Sequence, residues 1–455
     1  MKRSILKIVG VVNLSFLATL GQAENVYPVP SRTVLTQPLS VSDALNLALE
    51  RNAAILRGKA DLEAAHGVIL QTRAIVIPKI RAGGTIKKTD PDAIESFSTE
   101  FGAGPTSSDR EWATSVRLVQ SIYEGGRMSS ALRKAKLTKE QSILNFQTVV
   151  ADTLRDVRIA YDDVLLAEQS IEVQEASVKL LTRELEDTSR RFAAGTVPRF
   201  NILRAEVELA NARPRLIRAR NAFRIAKNDF ANLLGYDLPK GMGEDIPLHL
   251  AGKFYEEPFE VDLANALQRA FENRTELASL RAAEKLRGEN IVNAKSGYKP
   301  SVQAFVGYGS RSSSFNNALD HDVTGWFVGA EMNWDIFDGM LTRGRVVEAI
   351  ALQDRAQADL EDASRRVGLE VRTAYSSFIE ARELLESQKK VQEQAKEALR
   401  LARARVDAGT GTQLDVLSAQ TALTEARTTQ IQALRDYSVA KTRLDRAIGN
   451  PIEKK

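Results

Sequence analysis

The sequence contains no cysteine. A disulfide framework, thiolate zinc sites, iron–sulfur clusters and a lipid anchor on an N-terminal cysteine are therefore excluded. Histidine is nearly absent: His66, His249 and His321 lie far apart and form no ligand-spaced pair. They read as surface residues, and no metal or cofactor is expected. Aromatic residues make up only 6% of the 455 positions, too few for one large compact core. Beyond the N-terminus no stretch approaches the roughly 20 apolar residues of a membrane-spanning helix. Charge of one sign is missing too. The net charge is +4, and Lys2, Arg3 and Lys7 supply three of those charges, so the remainder is close to neutral and gives no reason to expect nucleic acid as a partner. Nor is there a nucleophile–base constellation or a phosphate loop, since Gly339-Met340-Leu341-Thr342-Arg343-Gly344 lacks the closing Lys-Ser/Thr. No enzyme is expected.

What is present is a chain 27% charged and 43% apolar, rich in Ala, Leu, Arg, Glu and Gln. That composition favours long helices packed through narrow seams over a disordered polymer. Lys2, Arg3 and Lys7, a short apolar run to Leu20, and Gly21-Gln22-Ala23 read as a signal peptide over 1–23. An exported chain without a membrane helix is periplasmic, secreted or inserted as a β-barrel.

The chain repeats itself. Residues 191–235 align with 405–449 at a constant offset, pairing Gly195 with Gly409, Thr196 with Thr410, Leu209 with Leu423 and Gly235 with Gly449. Tyr123-Glu124-Gly125 pairs with Phe337-Asp338-Gly339, and Pro78 pairs with Pro300. The expected organisation is an N-terminal extended segment 24–40, a first repeat 41–240, a linker 241–260, a second repeat 261–449 and a tail 450–455. Each repeat should begin with an amphipathic helix, 41–77 or 261–296, ended by Pro78 or Pro300. Two extended segments follow, then a long helix, 126–193 or 340–407, then a shorter closing helix. In the second long helix Val367, Val371, Ala374, Phe378, Ala381 and Leu385, then Ala395, Leu399, Ala402 and Val406, keep coiled-coil spacing. The first shows it at Val150, Leu154, Val157, Tyr161 and Val164. Such a helix is a rod on the order of 100 Å long.

The extended segments, 79–88, 111–123, 301–311 and 324–337, are rich in Gly, Val, Thr and aromatics. In the last, Trp326, Val328, Ala330, Met332 and Trp334 should share one face, with Phe327, Gly329, Glu331, Asn333 and Asp335 on a mostly polar opposite face. About ten residues with one lipid-compatible side suit a transmembrane β-strand. Trp112, Trp326 and Trp334 are placed as membrane-interface aromatics. The stretches 89–110 and 312–323 read as polar hairpin loops. Four strands cannot close a barrel or hide their edges, and lipid permits no open edge, so sister chains must complete them. The other class of function compatible with these patterns is a soluble periplasmic coiled-coil scaffold or adaptor.

The signal peptide, the duplicated helix–strand–strand–helix–helix order, Pro78 and Pro300, and the turn Gly409-Thr410-Gly411-Thr412-Gln413-Leu414-Asp415-Val416-Leu417 resemble the TolC-type outer membrane factor (outer membrane efflux protein) family. The resemblance implies a mainly α fold with a β-barrel part: a homotrimer with a shared 12-stranded transmembrane β-barrel in outer-membrane lipid and an α-helical tunnel across the periplasm. It implies a channel subunit of a tripartite efflux or type I secretion system in the outer membrane of a Gram-negative bacterium. A periplasmic membrane-fusion adaptor and an inner-membrane pump, ABC-type or proton-driven, would be its partners. Gly195, Thr196, Val197, Gly409, Thr410 and Gly411 become adaptor-docking tips. Asp415 matches an acidic ring at the periplasmic aperture, with Ser418 where a second Asp is expected and Asn201 as its counterpart in the first repeat. Pro78, Pro300, Tyr123 and Phe337 mark helix–strand junctions. From the residues alone, Gly195 and Gly409 suit left-handed helix ends, Thr196 or Thr412 could cap the following helix, Pro198 suits its first turn, and Pro214 should kink it.

Overall fold

The computed structural model describes residues 38–99, 102–105, 108–236, 245–254, 259–312 and 322–450. The signal peptide, nearly all of the N-terminal segment, parts of the 241–260 linker, most of the 312–323 loop with His321, and the tail beyond Asn450 lie outside the described residues.

The first repeat opens with α1 (Val41–Arg51) and α2 (Ala53–Arg73), the second with α5 (Leu263–Asn273) and α6 (Thr275–Lys295). One helix was expected in each place. Both break instead, at Asn52 and Arg274, whose backbones leave the helical region at ψ 129° and 117°. The Asn52 side chain accepts from the amides of Ala54 and Ile55 and so starts a new helix, a capping role an unbroken amphipathic period conceals. The helices end at Arg73 and Lys295, short of the two prolines, which directly precede strands β1 (Lys79–Lys88) and β5 (Ser301–Ser312).

The 89–110 loop is partly ordered: β2 (Ser96–Thr99) and β3 (Gly102–Pro105) form a small hairpin of their own. β4 (Arg110–Glu124) and β6 (Asp322–Asn333) complete a four-stranded antiparallel sheet of order β1-β4-β5-β6. β6 stops at Asn333, four residues short of the expected end, so Trp334 and Phe337 lie outside it.

Both strand-to-helix junctions use two consecutive left-handed residues, Gly125-Gly126 and Gly339-Met340. They lead into α3 (Arg127–Ala193) and α7 (Leu341–Asp407), each 67 residues long. The closing helices are α4 (Arg199–Leu233) and α8 (Gln413–Ile448). α4 runs unbroken through Pro214, which has no N–H to offer the preceding turn. α4 packs on α3, α3 on α8 and α8 on α7, while α2 packs on α3, and α6 on both α3 and α7.

Two cores sit where the first helix of each repeat meets the long and closing helices. In one, Ala44, Leu45 and Ala48 pack on Val157, Tyr161, Phe230 and Leu234. In the other, Ala266 and Ala270 pack on Val371, Phe378, Tyr437 and Leu444. The predicted seams are the buried faces: Val157, Tyr161, Val367, Val371, Phe378 and Leu385 are all buried. Each large apolar side chain so buried contributes about 1.5–3 kcal/mol. The linker joins the first core through Ile246 and Leu248, beside a parallel bridge between Leu39 and Leu250.

Candidate functional site

The register of the sheet sorts its side chains into two faces. Ile80, Leu118, Val306 and Val328 stand in one cross-strand row, and Ala82, Val116, Tyr308 and Trp326 in the next. Ala304 with Ala330 and Val302 with Met332 extend the same face toward the helices, and Ile86 with Trp112 extends it away from them. Much of this face is open: Trp326 is 75% exposed, Val328 66% and Met332 65%, while Trp112, Val302 and Ala304 are half-buried. The opposite face carries Lys79, Arg81, Lys87, Glu111, Ser115, Arg117, Gln303, Arg311 and Glu331.

This opposite face is not polar at every position. Phe305 and Phe327 lie on it with ring centroids 6.2 Å apart. The Phe327 ring covers Gly307, and the Phe305 ring covers Gly329. The aromatic rings fill the space the glycines leave, which is why Phe327 breaks the expected polar run. Trp112 stands in the strand at the far end of the apolar face. Trp334 lies just past β6 at the helix end, donating through Nε1 to the Tyr298 carbonyl. Tyr123 is the penultimate residue of β4, and Phe337 is exposed in the connection to α7.

At the other end of the molecule the long helices turn back. Both turns are the same six-to-one closure. Thr196 N–H donates to Arg191 O and Gly195 N–H to Phe192 O; Thr410 N–H donates to Arg405 O and Gly409 N–H to Val406 O. Gly195 and Gly409 hold φ of +75° and +73°, as left-handed helix ends require. Gly411 packs against Arg405 so closely that a Cβ would sit 2.9 Å from the Arg405 Cβ. Gly195, Thr196, Gly409 and Thr410 are exposed, and Val197 and Gly411 are half-buried. The two turns lie side by side: Arg191 Nη2 reaches Asp407 Oδ1 at 3.0 Å, and Gln413 Nε2 donates to Thr188 Oγ1. Leu181, Leu209, Ala212 and Leu417 form a small core behind them.

The two turns start their next helices differently. Thr412 caps α8 in a reciprocal box with Asp415, whose Oδ2 accepts from Thr412 N and Oγ1, both at 2.9 Å. Thr196 caps nothing; its hydroxyl donates to Arg191 O at 2.8 Å. Pro198 is the residue before α4 and has neither N–H nor hydroxyl, so Asn201 at the position matching Asp415 has no box to join. Within one chain the Thr412 hydrogen bonds hold the Asp415 carboxyl below the usual carboxylate range. This is opposite to the rise that repulsion within an acidic ring would give. Ser418 is exposed one turn further along α8.

Two buried polar groups between tips and sheet escaped the sequence reading. Arg446 on α8 bridges Asp152 on α3 (2.9 Å) and Glu276 on α6, while Arg274 joins Glu276 at 3.1 Å and Glu370 on α7 at 3.0 Å. Asp162 on α3 accepts from Ser438 Oγ at 2.6 Å, and burial pushes its carboxyl up to about 6. Nothing in the sequence periodicity singled these residues out. Among the described residues no group of three His, Asp or Glu could hold a metal ion, and no helix is long and apolar enough to cross a membrane.

The chain is similar to known outer-membrane proteins in sequence and in fold. The chain is 24% identical to the outer membrane protein TolC of Vibrio cholerae over 423 residues, covering 91% of each chain. It is 22% identical to the alkaline protease secretion protein AprF of Pseudomonas aeruginosa, over 89% of this chain and 83% of AprF. Its fold superposes on the crystal structure of the Campylobacter jejuni CmeC outer membrane channel with a TM-score of 0.76 at 16% identity, covering 90% of this chain and 85% of CmeC. The sequence model of the outer membrane efflux protein family matches residues 44–236 and 266–450. A match that runs through both repeats makes this chain a member of the outer membrane efflux protein family.

Proposed function

We propose that the chain is the outer-membrane channel subunit of a tripartite efflux or type I secretion system. It conducts cargo passively from an inner-membrane pump across the periplasm and the outer membrane. The family is one of efflux channels, not enzymes. The observation that carries the reading is the sheet, apolar on one face and, among the described residues, unpaired along the outer edges of β1 and β6. A soluble scaffold with this hairpin would expose Trp326, Val328, Met332 and Tyr308 to water and leave two edges open to aggregation. In lipid, the same face is solvated and the edges are completed by neighbours.

Joining β6 of one copy to β1 of the next is a head-to-tail contact that closes as a ring. Three copies give the 12-stranded barrel of the family resemblance. The helical layer is unfinished in the same sense. α4 exposes Phe200, Leu203 and Val207, and α7 exposes Leu384, Val391 and Leu401, at heptad-like spacing on the two border helices. Their mating in a homotrimer makes the tunnel wall. The tips at Gly195–Val197 and Gly409–Gly411 then form the periplasmic mouth, where a membrane-fusion adaptor docks and Asp415 lines the aperture. The organisation into a signal peptide, two repeats and a short linker fits an exported subunit of this kind.

Fractionation tests the reading. The mature protein should sediment with outer membranes, resist salt extraction, dissolve only with detergent and then form channels in planar lipid bilayers. A detergent-free soluble monomer would support the scaffold.

A further inference from the structure

The sheet's inner face is unequal in charge. Strand alternation brings Lys79, Arg81 and Lys87 from β1, Arg117 from β4 and Arg311 from β5 to the face opposite the apolar rows, against only Glu111 and Glu331. Glu111 lies directly across from Lys87. Arg81 and Arg117, in contrast, face each other across β1 and β4, mid-strand in β4. Like charges opposite one another on paired strands are destabilising unless something offsets them. Among the described residues no carboxylate forms an ion pair with either. What holds Arg117 is an aromatic ring: its guanidinium carbon lies 5.3 Å from the Phe305 centroid. Phe327 stands beside Phe305 on the same face, over Gly307, so Arg117 is backed by apolar rings that limit competing water.

We propose that Arg81 and Arg117 form an anion-attracting band on the inner wall of the barrel, which raises the passage of anions, and of carboxylate- or phosphate-bearing cargo, over that of cations. The inference rests on the reading of this sheet as a barrel wall with its apolar face toward lipid. Repetition around a symmetry axis adds the fields of the copies, and rings of Arg or Lys are the means by which pores select anions. Besides Glu111 and Glu331 on the same face, Asp90, Asp92 and Glu95 follow the far end of β1, and Asp415 lies at the tips. On this face the basic residues outnumber the acidic ones, and the contribution of the central pair is isolated by changing the two arginines alone.

The experiment is the zero-current potential of the full-length oligomer in planar bilayers under a KCl gradient. Arg81→Gln with Arg117→Gln should shift it toward cations, lowering the anion-to-cation permeability ratio about threefold or more. Arg81→Lys with Arg117→Lys should leave it near wild type, and so should Lys88→Gln, which lies on the outer face. Channels whose potential is unchanged in the double glutamine variant, or shifts equally in Lys88→Gln, overturn the band while leaving the barrel intact. Failure to form any channel overturns the barrel reading and the band with it.

Discussion

Asn52 and Arg274 occupy equivalent places in the two repeats and reach equivalent carbonyls. Asn52 Nδ2 donates to Leu233 O at 2.6 Å, and Arg274 Nη1 donates to Ala447 O at 3.3 Å. Each ties the break between the first two helices of its repeat to the end of the closing helix. The backbone solution has survived duplication while its chemistry has diverged. Asn52 also caps α2, whereas Arg274 has no acceptor to cap with and binds Glu276 and Glu370 instead.

Asn52→Ala removes a cap and leaves the Leu233 carbonyl short of a donor. The expected loss is about 1–3 kcal/mol. Asn52→Asp keeps the acceptor without the donor and should fall between the two. Thermal unfolding of the detergent-solubilised protein, followed by circular dichroism, orders the three.

The left-handed glycines should not respond alike. Gly195 has open space around a prospective Cβ, so Gly195→Ala carries only left-handed strain, about 1–2 kcal/mol. Gly235, at φ +70°, is pressed against the Arg51 carbonyl, so Gly235→Ala adds a backbone clash to the same strain. Parallel melts should show the Gly235 variant markedly less stable than the Gly195 variant; equal losses would contradict the packing.

Asp162 gives a pH signature. Burial raises its folded-state pKa to about 6, so the native chain holds this proton where the unfolded chain has released it. Its unfavourable burial is therefore absent below the unfolded value, grows as pH rises toward 6, and is fully present above that. A displacement of this size amounts to on the order of 3 kcal/mol between the two protonation states. Asp162→Asn, which can still accept from Ser438, should raise the unfolding midpoint at pH 8 and much less at pH 4.5. A gain that is the same at both values would show that Asp162 does not titrate in this range.

Asp415 is tied to Thr412, and its carboxyl stays ionised in mildly acid solution. As a ring at the aperture it should let trivalent cations block conductance, and block should persist at pH 5. Asp415→Ala should relieve the block. Thr412→Ala should weaken the helix start by about 1 kcal/mol yet retain block. Equal block in wild type and Asp415→Ala would remove the ring.

Much of this architecture is legible in the residues. Offset identities such as Gly195 with Gly409 disclose the duplication, and the 4,3 spacing from Val367 to Leu385 discloses the seam, because the same face must meet a partner over many turns. The helix breaks are hidden, since Asn52 and Arg274 interrupt no apolar period. Phe327 on the inner face depends on Gly307, its direct partner on the neighbouring strand, a relation that exists only once the register is set. Asp162 and Arg446 are buried because partners from distant segments, Ser438 and Glu276, satisfy them.

The most direct test of the central claim uses the absence of cysteine. Introduce one cysteine on the β1 edge and one on the β6 edge of the same chain, stepping the second along 322–333, and oxidise in intact outer membranes. The β6-to-β1 closure predicts disulfide ladders that end at three copies for some pairings, with neither single-cysteine variant cross-linking. Ladders absent at every position, or efficient β1-to-β1 dimers from a single cysteine, would contradict it.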